Sequence, residues 1–463
     1  MERPQGGHEP GRAKAGLPQG IPAIRTLATT KADRRARADL HLAGERPQRR
    51  RGLRRLGSHG PGLHRQLVDL ARPHHPPENG SGGPQRNRAL TLRVLVTGGA
   101  GFIGSHTADA LLGRGYRVRI LDNLQPRVHP HGKPAYLSPD LEFIQGDATD
   151  RRALERALAG VDYVMHLAAY QDYLPDFSTF VHVNTESAAL IFELIVAHRL
   201  PVRKVVFASS QAVAGEGRYR CEEHGVILPE QRSLEQLERG DWEIKCPECH
   251  RVMESLLIDE SICRPHTAYG ISKYAIEMLA GTLGGRYGIP TASMRYTYVQ
   301  GSRNSFFNAY SGICRSFALR ILNGKAPICY EDGAQLRDYV NVADVAQANV
   351  VAMEAPPNGH VVLNVGGGKP ITVLQFADII LRACVSNLEP VVPGSFRVGD
   401  TRHTVSDISA MQRLGWSPAV PVEQSVREYL DWMSAYRDTR PYLEEAERVM
   451  QQQNVVRAAT VRR

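Results

Sequence analysis

The first 90 residues of this 463-residue chain contain no phenylalanine, tryptophan, tyrosine or cysteine, while ten of them are proline. Without aromatic anchors, and with so many helix and strand breakers, such a stretch cannot bury enough apolar surface to offset the entropy of ordering it. Residues 1–90 are therefore expected to form a disordered basic extension. Its arginine clusters, Arg49-Arg50-Arg51 and Arg54-Arg55, suit a transit peptide or a nucleic-acid arm; the plainer reading is an unstructured leader. Nowhere does the chain run through eighteen consecutive apolar residues, so no membrane span is expected. Seven cysteines are too few for a disulfide scaffold at this length. With no secretory signal read before them, the expectation is a reducing, cytoplasmic compartment.

The net charge of +9 is also unevenly placed. Residues 1–90 hold 18 Lys plus Arg against 7 Asp plus Glu, which leaves 39 basic and 41 acidic residues, a balance of −2, for the rest. The globular part is close to neutral, which argues against nucleic acid as its partner. Its length and its 42% hydrophobic content are ample for a large core.

Organised sequence begins at Leu92. Arg93-Val94-Leu95-Val96-Thr97 reads as a buried strand, followed by Gly98-Gly99-Ala100-Gly101-Phe102-Ile103-Gly104 and a helix to about Leu112. In this G-x-x-G-x-x-G spacing Gly98 permits the tight turn, Gly101 lets a pyrophosphate approach the backbone, and Gly104 lets the helix pack on the strand. Free N–H groups at the helix start, around Phe102 and Ile103, then face the phosphates. A second strand, Tyr116 to Leu121, ends at Asp122, followed by Asn123. An acidic group there accepts from the ribose hydroxyls and repels a 2′-phosphate, favouring NAD over NADP. The competing reading is a structural glycine turn beside a surface Asp. Further apolar runs at Leu141–Ile144, Tyr163–Leu167 and Lys204–Ala208 complete the pattern of an α/β, Rossmann-like, doubly wound parallel sheet.

Tyr269 and Lys273 stand four apart at the start of a helical stretch, on one face. A phenol is a poor base at neutral pH, but a nearby ammonium and an oxidised nicotinamide favour the phenolate, which can then take a proton from an alcohol. In isolation a Tyr-x-x-x-Lys pair is more often an exposed helix pair; downstream of a dinucleotide fingerprint the balance reverses. Ser209-Ser210 ends the strand from Lys204, at the sheet edge where ligands bind, although a serine pair there could equally cap the next helix.

These stretches, with Gly146-Asp147, His166-Leu167-Ala168-Ala169, Arg337-Asp338-Tyr339-Val340-Asn341-Val342-Ala343-Asp344-Val345-Ala346 and Leu414-Gly415-Trp416, resemble the extended short-chain dehydrogenase/reductase family of nucleotide-sugar epimerases and dehydratases. The resemblance runs from residue 92 to about 435. It implies that Asp147 and Ala148 flank the adenine, that Leu167, Ala168 and Ala169 line the dinucleotide, and that Asn184 and Lys273 reach the nicotinamide ribose. It places the catalytic hydroxyl at Ser210 rather than Ser209, beside Tyr269 and Lys273. In the second domain Asn308, Arg337, Arg397 and Asp400 match residues that hold the nucleotide half of the substrate, a role for which arginine suits a pyrophosphate. It also implies a homodimer formed through the helix bearing Tyr269 and a neighbouring one.

Relatives that eliminate water carry an Asp-Glu pair after the catalytic hydroxyl. Here those positions are Gln211 and Ala212, which cannot exchange a proton usefully at neutral pH. The implied reaction is therefore NAD-dependent inversion at C4 of a nucleotide-activated sugar through a transient 4-keto sugar. An NAD(P)-dependent dehydratase or reductase, and a non-catalytic NAD-sensing protein, remain the alternatives. Ala214 before Gly215, and Thr297-Tyr298 after Arg295-Tyr296, depart from the family's usual Tyr and Phe-Asn, so substrate contacts cannot be copied across there.

An insertion at 218–263 holds Cys221-x-x-His224 and Cys246-Pro247-Glu248-Cys249, with His250 as a substitute ligand. Two short-spaced pairs suit a structural Zn²⁺; free buried thiols and a redox pair are the alternatives. The insertion, Val299-Gln300-Gly301 and the stretch Phe396–His403 look most like the dTDP-L-rhamnose 4-epimerase branch. The expected domains are 91–295 for NAD, 296–440 for substrate with some strands returning to the first, and a C-terminal tail at 441–463.

Overall fold

The computed structural model describes residues 92–460 apart from 173–174, 308–311, 437 and 454. The expected extension at 1–90 and the candidate ligand Asn308 lie outside the described residues.

Seven strands form one parallel sheet: β1 (Arg93–Thr97), β2 (Arg117–Asp122), β3 (Glu142–Gln145), β4 (Tyr163–His166), β5 (Lys204–Ser210), β6 (Thr291–Tyr296) and β7 (His360–Val365). Their spatial order is β7-β6-β5-β4-β1-β2-β3. The central strand β1 pairs with β2 on one side and β4 on the other, with Val96 opposite Ile120 and Met165. Successive side chains of a strand point to opposite faces, and the sequence fills both. Val94, Val96, Ile120 and Met165 pack beneath the helices that contain Ala108, Val345 and Ala352. Leu95, Leu121, Val164 and Phe207 pack against Leu154, Ile191 and Ile276 on the other face. That two-sided burial explains why the strands read as apolar runs rather than as alternation.

Winding reverses between β1 and β4, so the connections leaving the carboxyl ends of these two paired strands run to opposite faces and leave a crevice, the usual ligand position in such sheets. One helical stretch, Phe177–Ala197, is apolar and long enough to cross a membrane by length and composition, yet half of its apolar window is buried. Its Ala188, Ile191 and Leu194 are fully enclosed against the sheet.

A second core gathers Phe306, Phe317, Phe376, Tyr429 and Met433 around a three-stranded sheet of Tyr298–Gln300, Leu336–Asn341 and Pro370–Thr372. The segment set apart as a tail joins this second core. Helix Arg440–Gln452 buries Leu443 and Ala446 there, and strand Val456–Ala458 pairs antiparallel with Ser395–Arg397. A three-residue strand carries too little pattern to be read in advance.

The insertion folds around a small antiparallel sheet of Tyr219–Cys221, Gly225–Ile227 and Glu254–Ser255.

Candidate active site

The crevice is a cleft of about 320 Å³ lined by Gly98, Gly101–Gly104, Asp122, Asn123, Asp147, Ala148 and Leu167–Ala169, among others. It brings together every residue assigned to the dinucleotide from the sequence except Asn184, Tyr269 and Lys273. The glycines are there for space. Gly98 has φ of +66°, and a Cβ on it would stand 2.7 Å from the Ala168 backbone; on Gly104 it would stand 2.1 Å from the Gly98 carbonyl oxygen. Helix Phe102–Gly113 has no side chain capping its N-terminus at Gly101, so its first N–H groups remain available to an anion.

Asp122 is buried at the end of β2. Its carboxylate accepts from the backbone N–H of Ala100 (2.9 Å) and of Leu124 (2.9 Å), which fixes its orientation at the cleft. Each carboxylate oxygen keeps a second lone pair for a ribose hydroxyl. Asp147 lines the same cleft, accepting from Asn123 Nδ2 (2.8 Å) and from the N–H and hydroxyl of Thr149. Burial works against the Asp147 carboxylate, but those hydrogen bonds together hold it below its ordinary range. A cradle that admits no Cβ, free helical N–H groups and a buried acid at the strand end fit a dinucleotide with an unphosphorylated ribose.

Asn184 is not among the residues lining the cleft. It is fully buried in a π-helical turn, Val181–Glu186. Its Nδ2 donates to the Tyr170 carbonyl (3.0 Å) and to Ser272 Oγ (3.0 Å), and its Oδ1 accepts from the Tyr170 N–H (2.7 Å). With both amide hydrogens engaged, Asn184 braces the loop after β4 against the helix that holds Lys273.

Beyond the cleft, helix Ala268–Tyr287 starts with Thr267 as N-cap, whose hydroxyl accepts from the Gly270 N–H. Its first turn carries Tyr269, and its second Lys273. The Ser210 hydroxyl lies close enough to the Tyr269 phenol to act on it, and its Oγ accepts from the Ala212 N–H at 3.2 Å, capping the short helix Gln211–Ala214. Ser210 thus caps that short helix, as the sequence allowed, with its hydroxyl beside Tyr269. Lys273 Nζ, almost fully buried, lies 5.8 Å from the Tyr269 ring centroid and donates to the Ala208 carbonyl at 2.9 Å. Burial pushes the Tyr269 phenol up to about 12, with the Ser210 bond pulling the other way, and pushes Lys273 down to about 7. Ser209 points elsewhere, donating to Glu277 at 2.5 Å.

Two supporting groups escaped sequence reasoning. Glu277 lies one further turn along the face of Tyr269 and Lys273, and accepts from Arg295 Nε (2.8 Å) and NH2 (2.7 Å) as well as from Ser209. The fourfold spacing 269, 273, 277 was the available signal. His166 sits between Thr97 Oγ1 (2.8 Å from Nδ1) and Ser187 Oγ (2.9 Å from Nε2). Ser187 gives its own proton to the Val183 carbonyl, so the network assigns the hydrogen of a neutral imidazole to Nε2. Burial, with the Lys273 charge second, pushes His166 down to about 3. Since an unfolded histidine titrates near ~6.5, the folded chain binds fewer protons between these values. Stability should therefore fall as pH is lowered below ~6.5 toward 3. Denaturant midpoints taken from pH 7 to pH 4 should drop less steeply in His166→Gln.

Arg337, Arg397 and Asp400, matched to the substrate from the sequence, lie in or against the loop around residues 397–402. Arg337 is buried over the Tyr298 ring at 5.4 Å and donates to the carbonyls of Leu336, Thr401 and Arg402. Much of its fork is thus given to holding the loop, a task the sequence did not disclose. Arg397 lies over the Tyr330 ring at 4.7 Å, and Asp400 gives its carbonyl to Arg232 at 2.9 Å. The insertion gathers Cys221, His224, Cys246 and Cys249 with ligand atoms all within 4.8 Å; His250 is exposed and outside that group.

The model of the NAD dependent epimerase/dehydratase family matches residues 94–233 and 246–366. The chain is 32% identical over 355 residues to the dTDP-L-rhamnose 4-epimerase of Burkholderia thailandensis, covering 75% of this chain and 96% of that one. Among solved structures it is similar to the UDP-glucose 4-epimerase of Thermotoga maritima with UDP-glucose (28% identity, TM-score 0.60, 74% of this chain and 99% of that one). It is likewise similar to the Thermus thermophilus UDP-glucose 4-epimerase with NAD (28%, TM-score 0.59, 75% and 100%). With a glycine cradle and a buried acid at its sheet edge, and with these matches across most of its ordered length, the chain belongs to the NAD-dependent epimerase/dehydratase family.

Proposed function

We propose that this protein is a 4-epimerase of nucleotide-activated hexoses, with dTDP-L-rhamnose or a UDP-hexose as substrate. The observation that carries the reading is the placement of Ser210, Tyr269 and Lys273 together: the Ser210 hydroxyl acts on the Tyr269 phenol, and Lys273 Nζ stands 5.8 Å from its ring, one helical turn away. Tyr269, as phenolate, accepts the proton of the sugar 4-hydroxyl, and Ser210 orients that hydroxyl by sharing its own hydrogen bond. The chemistry that NAD supplies when bound is uptake and return of the C4 hydride, together with a positive charge that favours the phenolate. Lys273, which burial brings down to about 7, adds a second positive charge when protonated and is held in place by the Ala208 carbonyl. The proton held at Tyr269 Oη returns to the sugar oxygen once the flat keto sugar has presented its other face. Gln211 and Ala212 leave elimination without an acid and base beside the sugar, which sets the dehydratase reading second.

The experiment is to incubate the protein separately with UDP-glucose, UDP-galactose and dTDP-L-rhamnose and to resolve the epimers by chromatography. Interconversion of one pair without net NADH supports the reading. Loss of water from a substrate, stoichiometric NADH, or no conversion by NAD-loaded protein would overturn it. Asp122→Asn should weaken NAD by roughly tenfold or more while easing NADP, measured by titration of cofactor fluorescence, since a charge-assisted bond is lost.

A homodimer is part of the same proposal. Phe177, Val181, Ile271 and Met278 are large, apolar and exposed on the two neighbouring helices, and pairing those helices with a second copy covers them.

A further inference from the structure

We propose that Cys221, His224, Cys246 and Cys249 bind one structural Zn²⁺, and that this ion sets the position of the loop carrying Arg397 and Asp400. The ligand geometry comes first. A tetrahedral Zn²⁺ with sulfur and nitrogen at their usual distances separates two sulfurs by about 3.8 Å and a sulfur from a nitrogen by about 3.5 Å. Cys221 Sγ stands 3.6 Å from Cys249 Sγ and 3.5 Å from His224 Nδ1, and Cys246 Sγ stands 3.4 Å from the same nitrogen. A sulfur pair at that spacing is not a disulfide, whose bond is near ~2.05 Å. The turn around the second pair is closed by the His250 N–H donating to the Cys246 carbonyl at 3.0 Å, with His250 at φ +59°. That turn aims both sulfurs inward.

Packing points the same way. Buried apolar residues around this set are few, namely Tyr219, Cys221, Ile244, Cys246 and Met253. A core so small does not hold an insertion of this length by hydrophobic burial alone, which is where small modules use a metal.

What the module grips gives the ion its consequence. Glu243, three residues before Cys246, accepts from Arg402 Nε (3.2 Å) and NH2 (2.5 Å) and from His403 Nε2 (3.3 Å). Hydrogen bonding from His403, reinforced by Arg402, holds the Glu243 carboxyl down at about 2. Arg402 is fully buried and also meets Glu331 (3.0 Å) and Asp332 (2.7 Å). Arg232, from the same insertion, pairs in bidentate fashion with Glu331 and donates to the Asp400 carbonyl. Trp242 packs against Phe396 at 6.0 Å. The insertion is thus tied at residues 396, 400, 402 and 403 to the loop expected to hold the nucleotide, so Glu243 is a positioning residue. The second half of the inference rests on the proposed role of Arg397 and Asp400; the metal does not.

Protein purified without a histidine tag or chelator should contain about one zinc per chain by elemental analysis, as a closed four-ligand site requires. Replacement by cobalt should give thiolate-to-metal charge-transfer absorption. Zinc near zero with all four side chains free to react removes the site. Glu243→Gln should keep the zinc and the cobalt spectrum, weaken UDP or dTDP binding by calorimetry roughly tenfold, and raise KM while leaving kcat near wild type. An unchanged nucleotide Kd, or a fall in kcat alone, overturns the positioning role. Cys246→Ser should lose the metal and weaken the nucleotide alike; should it not fold, wild-type metal content and Glu243→Gln still decide the two halves. Because nucleotide binding is read directly, failure of the epimerase reading stays distinguishable from failure of this one.

Discussion

Tyr269→Phe should lower kcat by roughly 10³-fold while NAD stays bound. The substitution removes one oxygen from a ring that otherwise keeps its neighbours, Phe180 at 6.4 Å and the Lys273 ammonium at 5.8 Å. Dinucleotide contacts should survive, because Tyr269 is not among the residues lining the cleft. What disappears is the phenol proposed to take the proton from the sugar alcohol. Single-turnover rates, with the cofactor content of the purified variant as control, check this. A variant retaining a tenth or more of wild-type kcat would place the base elsewhere. Lys273 should not substitute: its amine is directed to the Ala208 carbonyl.

Glu277→Ala should unfold the protein at markedly lower denaturant, with a loss on the order of 3–5 kcal/mol. The side chains of Arg295 and Glu277 are 1% and 4% exposed. Arg295 also donates to the carbonyls of Glu260 and Ile262, so it cannot swing into water when its acid is removed. Truncation therefore strands a buried cation, and frees the Ser209 hydroxyl beside the site. Glu277→Gln, which keeps the shape and one acceptor, should cost less. Chemical denaturation of wild type and both variants orders the three, and equal midpoints for alanine and wild type would contradict the account.

The parallel sheet and the glycine cradle were legible in the sequence because both are local. Each strand is a short apolar run, and the spacing of Gly98, Gly101 and Gly104 encodes one turn. Asp122 was legible for the same reason, standing at the end of a readable strand. Residues whose meaning depends on distant partners were not. That the Asn184 amide joins Tyr170 to Ser272 could not be read from its sequence neighbours. Arg337 looks like a free phosphate binder until three carbonyls are found around it. Glu243, Glu331 and Arg402 lie far apart in sequence, in segments without periodicity, and only the folded chain reveals their shared charge network.

The grip of Glu243 on Arg402 spans 159 positions of chain. A ribosome releases the insertion long before the segment it must hold, and strand Val456–Ala458, which flanks Ser395–Arg397, emerges later still. Nucleotide-binding competence should consequently be acquired late, appearing only once Val456–Ala458 has left the ribosome, whereas the dinucleotide cradle near residue 100 can assemble much earlier in translation.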